Sequence, residues 1–170
     1  MPAKTLLDLR RPLARAAALA LSLAAGAAPS AALSPLRIAA DHHGFALADG
    51  TPFFWLGDTG WLLFTLSRQD IDLYMADRAR REFNVIQCMV VRTQPPRNRA
   101  LTPCHGGALP FSSLDPLVFN EHYFAHIDLI VAAAARHGLR LAMATMWGGD
   151  ADGMFPNSER DNYRYARFLG

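Results

Sequence analysis

Val85-Ile86-Gln87-Cys88-Met89-Val90-Val91 is a run of seven residues with one polar side chain, Gln87. A strand covered on one face alternates apolar with polar; this one does not. It reads as a strand buried on both faces, the pattern of a parallel sheet held between two layers. Leu139 to Met146 has the same character. Between them, Asn120 caps a helix through Arg136, with Phe124, Ile127, Val131, Ala134 and Ala135 as its expected buried stripe and Gly138 as a left-handed C-cap. Upstream, Ser67 opens a helix with Asp70 three residues later, a capping-box pattern in which each side chain satisfies an orphan amide. Ile71, Tyr74, Met75 and Ala79 form its apolar face, and it should end near Arg81, where basic groups meet the negative helix end. Strand and helix alternate, which implies parallel strands with right-handed crossovers.

Further out, Leu36 to Ala48 alternates loosely and reaches Asp49-Gly50, a hairpin turn signal. Phe53 to Leu56 then reads as the first core strand, ended by Gly57-Asp58-Thr59. Thr93 to Phe119 reads as one long loop, rich in proline and holding Gly106-Gly107; loops of that length in compact domains tend to be functional. Ser158 and Asp161 open a third helix, with Tyr163 and Ala166 facing inward. The expected fold class is α/β, a partial TIM-like (β/α) barrel of about three βα units preceded by a β-hairpin. A closed barrel has eight strands over roughly 250 residues. The 170 residues here supply about three, so a fragment of a barrel or a small open sheet is expected.

Hydrophobic residues make up 51% and charged residues 19%, which suits a packed globular core. Residues 1–32 read as a secretory signal peptide: a basic stretch to Arg15, an apolar run from Ala16 to Ala25, then small residues with cleavage expected between Ala27 and Leu33. The apolar run is too short and alanine-rich to span a bilayer, so no membrane span is expected in the mature chain. Arg10-Arg11 leaves the Sec and twin-arginine routes both open. The expected location is secreted or periplasmic. Without its leader the chain keeps 13 basic and 14 acidic residues, a balance with no footprint for nucleic acid. Two cysteines, Cys88 and Cys104, would be free to pair after export, and spacing alone does not decide whether they do.

In parallel α/β folds, chemistry collects at the C-terminal ends of strands. That rule selects Asp58 and Trp61 after the first strand, Gln87 within the second with Thr93 and Gln94 after it, and Trp147 and Asp150 after the third. Carboxylates accept hydrogen bonds from sugar hydroxyls, and an indole face stacks on the apolar face of a sugar ring. Each residue also has a plainer role: Asp58 as a turn cap, Trp61 as core, Gln87 as a satisfied interior amide. His42, His43 and His105 lack metal-ligand spacing, and no phosphate loop or nucleophile elbow is present, so no metal and no cofactor are expected.

Asp49-Gly50-Thr51-Pro52-Phe53-Phe54-Trp55-Leu56-Gly57-Asp58-Thr59-Gly60-Trp61 resembles the opening strand of the apiosidase-like glycoside hydrolases, long known as a domain of unknown function. Phe83-Asn84-Val85-Ile86-Gln87 resembles that family's second strand. The helix around Tyr123-Phe124-Ala125-His126-Ile127-Asp128, its end at Gly138-Leu139, and Met146-Trp147-Gly148 follow in the same order. The likeness covers nearly everything after Arg37. It implies a carbohydrate substrate and a barrel that hydrolyses plant cell-wall glycosides, apiosides among the candidates. It also implies that the two catalytic carboxylates glycosidases need lie on later strands, beyond Gly170. No catalytic residue is therefore assigned, and Asp58, Trp61, Gln87, Trp147 and Asp150 fall to the floor or rim of a sugar site. The chain taken alone is expected to be inactive and poorly soluble. A non-catalytic carbohydrate-binding or interaction module is the alternative, and the oligomeric state is left open.

Overall fold

The computed structural model describes residues 33–94, 100–114, 117–147 and 159–170. The leader, with its cleavage and export readings, lies outside the described residues, as do Asp150 and Ser158.

The chain begins with three short antiparallel strands, β1 (Arg37–Ile38), β2 (Phe45–Ala46) and β3 (Pro52–Phe53). The Asp49-Gly50 turn joins the last two: Asp49 Oδ1 accepts from the Thr51 amide at 2.9 Å, and Gly50 takes a left-handed φ of 89°. Three parallel strands follow, β4 (Gly57–Thr59), β5 (Val85–Met89) and β8 (Arg140–Ala144), with β5 in the centre. Asp58 lies beside Ile86, and Gln87 lies between Thr59 and Ala142.

The expected first core strand moves downstream by a few residues. Phe53 pairs with Phe45 in the antiparallel sheet, and Phe54, Trp55 and Leu56 remain exposed. Asn84 accounts for the shift. Its side chain donates to Phe54 O at 2.7 Å and accepts from the Leu56 amide at 3.0 Å, so the parallel ladder starts only at Gly57.

Helix α1 (Arg68–Arg80) starts at Ser67, whose hydroxyl accepts from the Asp70 amide at 3.2 Å. The expected reciprocal box is not formed in full, because Asp70 takes the Ser67 hydroxyl proton at 2.7 Å. Ile71 and Met75 are fully buried, with Tyr74 and Ala79 packed against the core. Helix α2 (Glu121–Arg136) starts at Asn120, which accepts from the His122 amide at 3.1 Å. It ends in a Schellman motif: Leu139 N donates to Ala134 O at 2.9 Å and Gly138 N to Ala135 O at 3.1 Å, with Gly138 at φ 72°. Its buried stripe is rotated from the expected one. Tyr123, Ile130 and Ala133 are buried, while Val131 and Ala135 are exposed. Tyr123 sets this rotation by donating its hydroxyl to Val90 O at 2.5 Å.

The expected loop contains a hairpin, β6 (Phe111–Leu114) with β7 (Leu117–Phe119). Helix α3 (Glu159–Leu169) docks on it. Its inward residues are Asp161 and Tyr165, not Tyr163 and Ala166. The Tyr165 hydroxyl donates to Thr145 O at 2.7 Å, its ring meets Phe111 edge-on, and Phe168 stacks on Phe119 at 4.0 Å. The aromatic hairpin selects that face.

The core lies between the parallel sheet and the helices, built on Ile71, Met75, Ile86, Ile127, Ile130 and Leu139. Both cysteines are free and buried, and burial pushes the Cys88 thiol up to about 11. Among the described residues no helix is long and apolar enough to cross a membrane. None of their His, Cys, Asp and Glu groups gathers three or more around a possible metal position.

Candidate functional site

Four of the five residues of β5 are buried, and Gln87 is the exposed one. Ile86 and Cys88 face the helices, while Gln87 opens onto the opposite face, which would be the interior of a barrel. At the C-terminal ends of the strands the chain continues straight into the rim. Gly60 N donates to Gln87 O at 2.8 Å, and Met89 N donates to Trp61 O at 3.2 Å, so the backbone of Trp61 is pinned to the central strand. A 3-10 turn, Leu63–Thr65, buries Leu63 and Phe64 and carries the chain over the sheet end into α1.

Trp147 lies just past β8 and is 41% exposed. Its ring stands edge-on to that of Trp61, with centroids 5.4 Å apart and planes at 78°. Two residues almost ninety positions apart in sequence thus form one aromatic feature on the C-terminal rim. A cleft of about 400 Å³ opens beside Trp61, lined also by Leu62, Arg92, Thr93, Gln94 and Thr102. The segment after β5 folds back on itself to make its wall. Gln94 N donates to Ala100 O at 2.7 Å, Thr102 N to Arg92 O at 2.8 Å, and the Gln94 side chain to Leu101 O at 3.3 Å. The Arg92 guanidinium rests on the Met89 sulfur at 3.5 Å.

Asp58 goes elsewhere. Register places it beside Ile86, on the helix face of the sheet. Its Oδ2 accepts from the Tyr74 hydroxyl and from Arg78 Nη1, each at 2.9 Å. The expectation that Asp58 and Trp147 face one cleft is therefore corrected. The one-residue phase of β4 turns Thr59 and Trp61 to the open side and Asp58 to α1. Burial pushes the Asp58 carboxyl up, but hydrogen bonds from the Thr59 amide, Tyr74 and Arg78 outweigh it and hold the carboxyl below its ordinary value. Burial, with the neighbouring Asp58 charge, pushes the Tyr74 hydroxyl well up.

Of the residues singled out in the sequence, the structure brings together Trp61, Trp147, Thr93 and Gln94 at the rim, with Gln87 below them on the open face. Asp150 lies outside the described residues. Arg92, Leu62 and Thr102 join the cleft without having been singled out. Arg92 had a usable signal, since it directly follows the buried run. The place of Thr102 depends on the Thr93–Leu101 bridge, which spacing does not reveal. None of the described residues lining the cleft carries a carboxylate. What the arrangement can do is hold a polar ring-shaped ligand: one apolar face against indole, hydroxyls against amide, hydroxyl and guanidinium groups. A larger, open pocket of about 520 Å³ lies along β1, β2 and β3, away from the strand ends.

Solved structures share this architecture. A glycoside hydrolase is 27% identical, with a TM-score of 0.67 over 80% of this chain and 30% of its own. A family 5 glycoside hydrolase from Bacteroides vulgatus has a similar fold at 24% identity, with a TM-score of 0.66 over 82% of this chain and 30% of its own. This chain thus spans about a third of the length of those structures, and its sheet corresponds to part of a TIM barrel. No curated protein sequence matches it. The model of the apiosidase-like catalytic domain matches residues 39–170, and the chain belongs to that family.

Proposed function

We propose that this chain forms the sugar-holding front of a glycosidase site that acts on plant cell-wall glycans, apiosides among them. The observation that carries this reading is the edge-on Trp61–Trp147 pair beside a polar cleft on the C-terminal rim. In this reading the indoles receive a sugar ring, and Gln87, Thr93, Gln94, Thr102 and Arg92 bind its hydroxyls. Glycoside cleavage needs an acid and a second carboxylate flanking the bond. The described cleft residues supply neither. We therefore assign the cleaving pair to later strands of a longer barrel, which leaves the described cleft to bind the sugar. The basic, apolar and small-residue order of residues 1–32 supports export to where such glycans occur.

The absence of a carboxylate from the described cleft also suits a purely carbohydrate-binding module, and one experiment separates the readings. The full chain is titrated with pectic oligosaccharides while tryptophan fluorescence is followed, and assayed in parallel on aryl glycosides. Saturable binding without hydrolysis is expected. Trp147→Ala should weaken binding by roughly 2–10-fold, the scale of one lost aromatic stack at about 0.5–1.5 kcal/mol. Addition of a polypeptide carrying the remaining strands of a family member should restore cleavage if the site is glycosidic, and leave it absent if the module only binds. No saturable binding would overturn the proposal, as would hydrolysis by the chain alone.

A further inference from the structure

We infer that Asp58 is a positioning residue for the Trp61–Trp147 pair, acting from the far side of the sheet through Tyr74 and Arg78 of α1. This rests on the rim reading above but concerns a residue that touches no ligand. Strand β4 is only three residues long, and among the described residues it has a neighbour on one side only, β5. Such a strand is the least constrained kind of element. Trp61 follows two residues after it and inherits whatever twist and depth it adopts. Hydrogen bonds to β5, continued by Gly60 N to Gln87 O and Met89 N to Trp61 O, hold this stretch along one edge only. The Asp58 carboxylate supplies a second anchor, to the helix layer, receiving both the Tyr74 hydroxyl and Arg78 Nη1 at 2.9 Å.

Those partners are themselves held. Arg78 also pairs with Asp77, and its guanidinium lies 5.5 Å from the Tyr74 ring centroid and 5.4 Å from that of Phe83. Tyr74 packs against the core. The carboxylate is thus docked to a preformed cradle on the helix. Charge-assisted bonds of this kind are short and directional. Trp61 comes three residues after Asp58 in a continuous stretch held to β5, so a shift of β4 that frees Asp58 carries over to the indole.

The test reads the indole pair directly, with no ligand present. Two indoles 5.4 Å apart at 78° couple excitonically, giving a circular-dichroism couplet near the indole absorption band. The full chain is compared with Asp58→Asn, Tyr74→Phe and Trp61→Phe. Trp61→Phe identifies the couplet by abolishing it. Asp58→Asn should lower its amplitude by half or more, and Tyr74→Phe, which keeps the ring and loses one bond, should lower it by a smaller amount, with a cooperative melt retained. A couplet unchanged in Tyr74→Phe and in folded Asp58→Asn would overturn the inference, even if the melting temperature fell. The couplet is recorded without sugar, so a failure of sugar binding leaves this outcome readable.

Discussion

Single residues carry the strain and the charge that decide local stability. Glu82 closes α1 in a left-handed conformation, φ 65°, with its amide on Ala79 O at 2.9 Å and the Phe83 amide on Arg78 O at 3.2 Å. This is the same closing motif that Gly138 gives α2, but with a side chain where glycine is favoured. A left-handed non-glycine residue costs about 1–2 kcal/mol, of which the larger entropy of unfolded glycine offsets part. Glu82→Gly should therefore raise stability by about 0.5–1 kcal/mol, read as a higher urea midpoint at unchanged slope; a lower midpoint would refute the strain. Asp58 predicts a pH dependence. Its folded carboxyl titrates below the ordinary 3.8. The unfolded state then binds more protons in that range, so its stabilisation is complete above pH 3.8 and is lost as pH falls further, through the folded value. The stability gap between wild type and Asp58→Asn should be constant near neutrality and shrink below about pH 4, as followed by urea midpoints across pH. A gap that does not shrink at all as pH falls below 3.8 would contradict the assignment. Asp58 also shows the limit of residue-level reading. The sequence places it at a strand end, but the face it takes depends on a phase of one residue, which is set by the register of β4 on β5, with Asn84 of the following segment holding Phe54 and Leu56 just ahead of the ladder.

Elements with strong local signals were legible, and those defined by distant partners were not. β5, β8, α1 and α2 could be read because an unbroken apolar run, a cap and a 3.6-residue period are local properties. The β6–β7 hairpin lies in a proline-rich segment, and its strands are held by what they touch: Phe111 and Leu117 are buried, and Phe119 stacks on Phe168. α3 shows the same dependence. Its amphipathic period was visible, but its inward face is chosen by the aromatic rings of the hairpin and by Phe124, which meets Phe168 edge-on at 4.6 Å. The two elements should therefore be coupled. Phe119→Ala removes the stacked ring and the edge contact with Phe124 at 6.0 Å. We predict that it speeds amide exchange across Glu159–Leu169 by an order of magnitude or more, the effect of roughly 1.4 kcal/mol of local opening. Exchange in Val85–Met89 should stay unchanged. Equal acceleration in both segments would show that α3 and the sheet open as one unit.

At the scale of the whole molecule, the sheet is covered on one side and open at its margins. Among the described residues, β4 and β8 each have a single strand neighbour. Strands of a parallel α/β sheet are normally flanked and buried, and an unflanked edge with apolar surface beside it pairs with other chains. β8 combines both features. Met143 is 45% exposed and Val131 of α2 is 40% exposed, and with Leu141, Ala135 and Leu36 they line a groove of about 400 Å³ next to the free edge. In a longer barrel the following βα unit would occupy that position. For these 170 residues taken alone, we predict concentration-dependent self-association through β8. Met143→Lys places a charge on the exposed margin, the means by which natural edge strands avoid pairing. It removes little buried surface, because the side chain is already half exposed. Sedimentation velocity over a tenfold range of concentration should show larger species for the wild-type chain and a shift toward monomer for Met143→Lys, with the melting temperature nearly unchanged. A wild-type chain that stays monomeric throughout, or a variant that associates just as strongly, would move the sticky surface away from β8 and toward the exposed Phe54, Trp55 and Leu56 at the opposite edge.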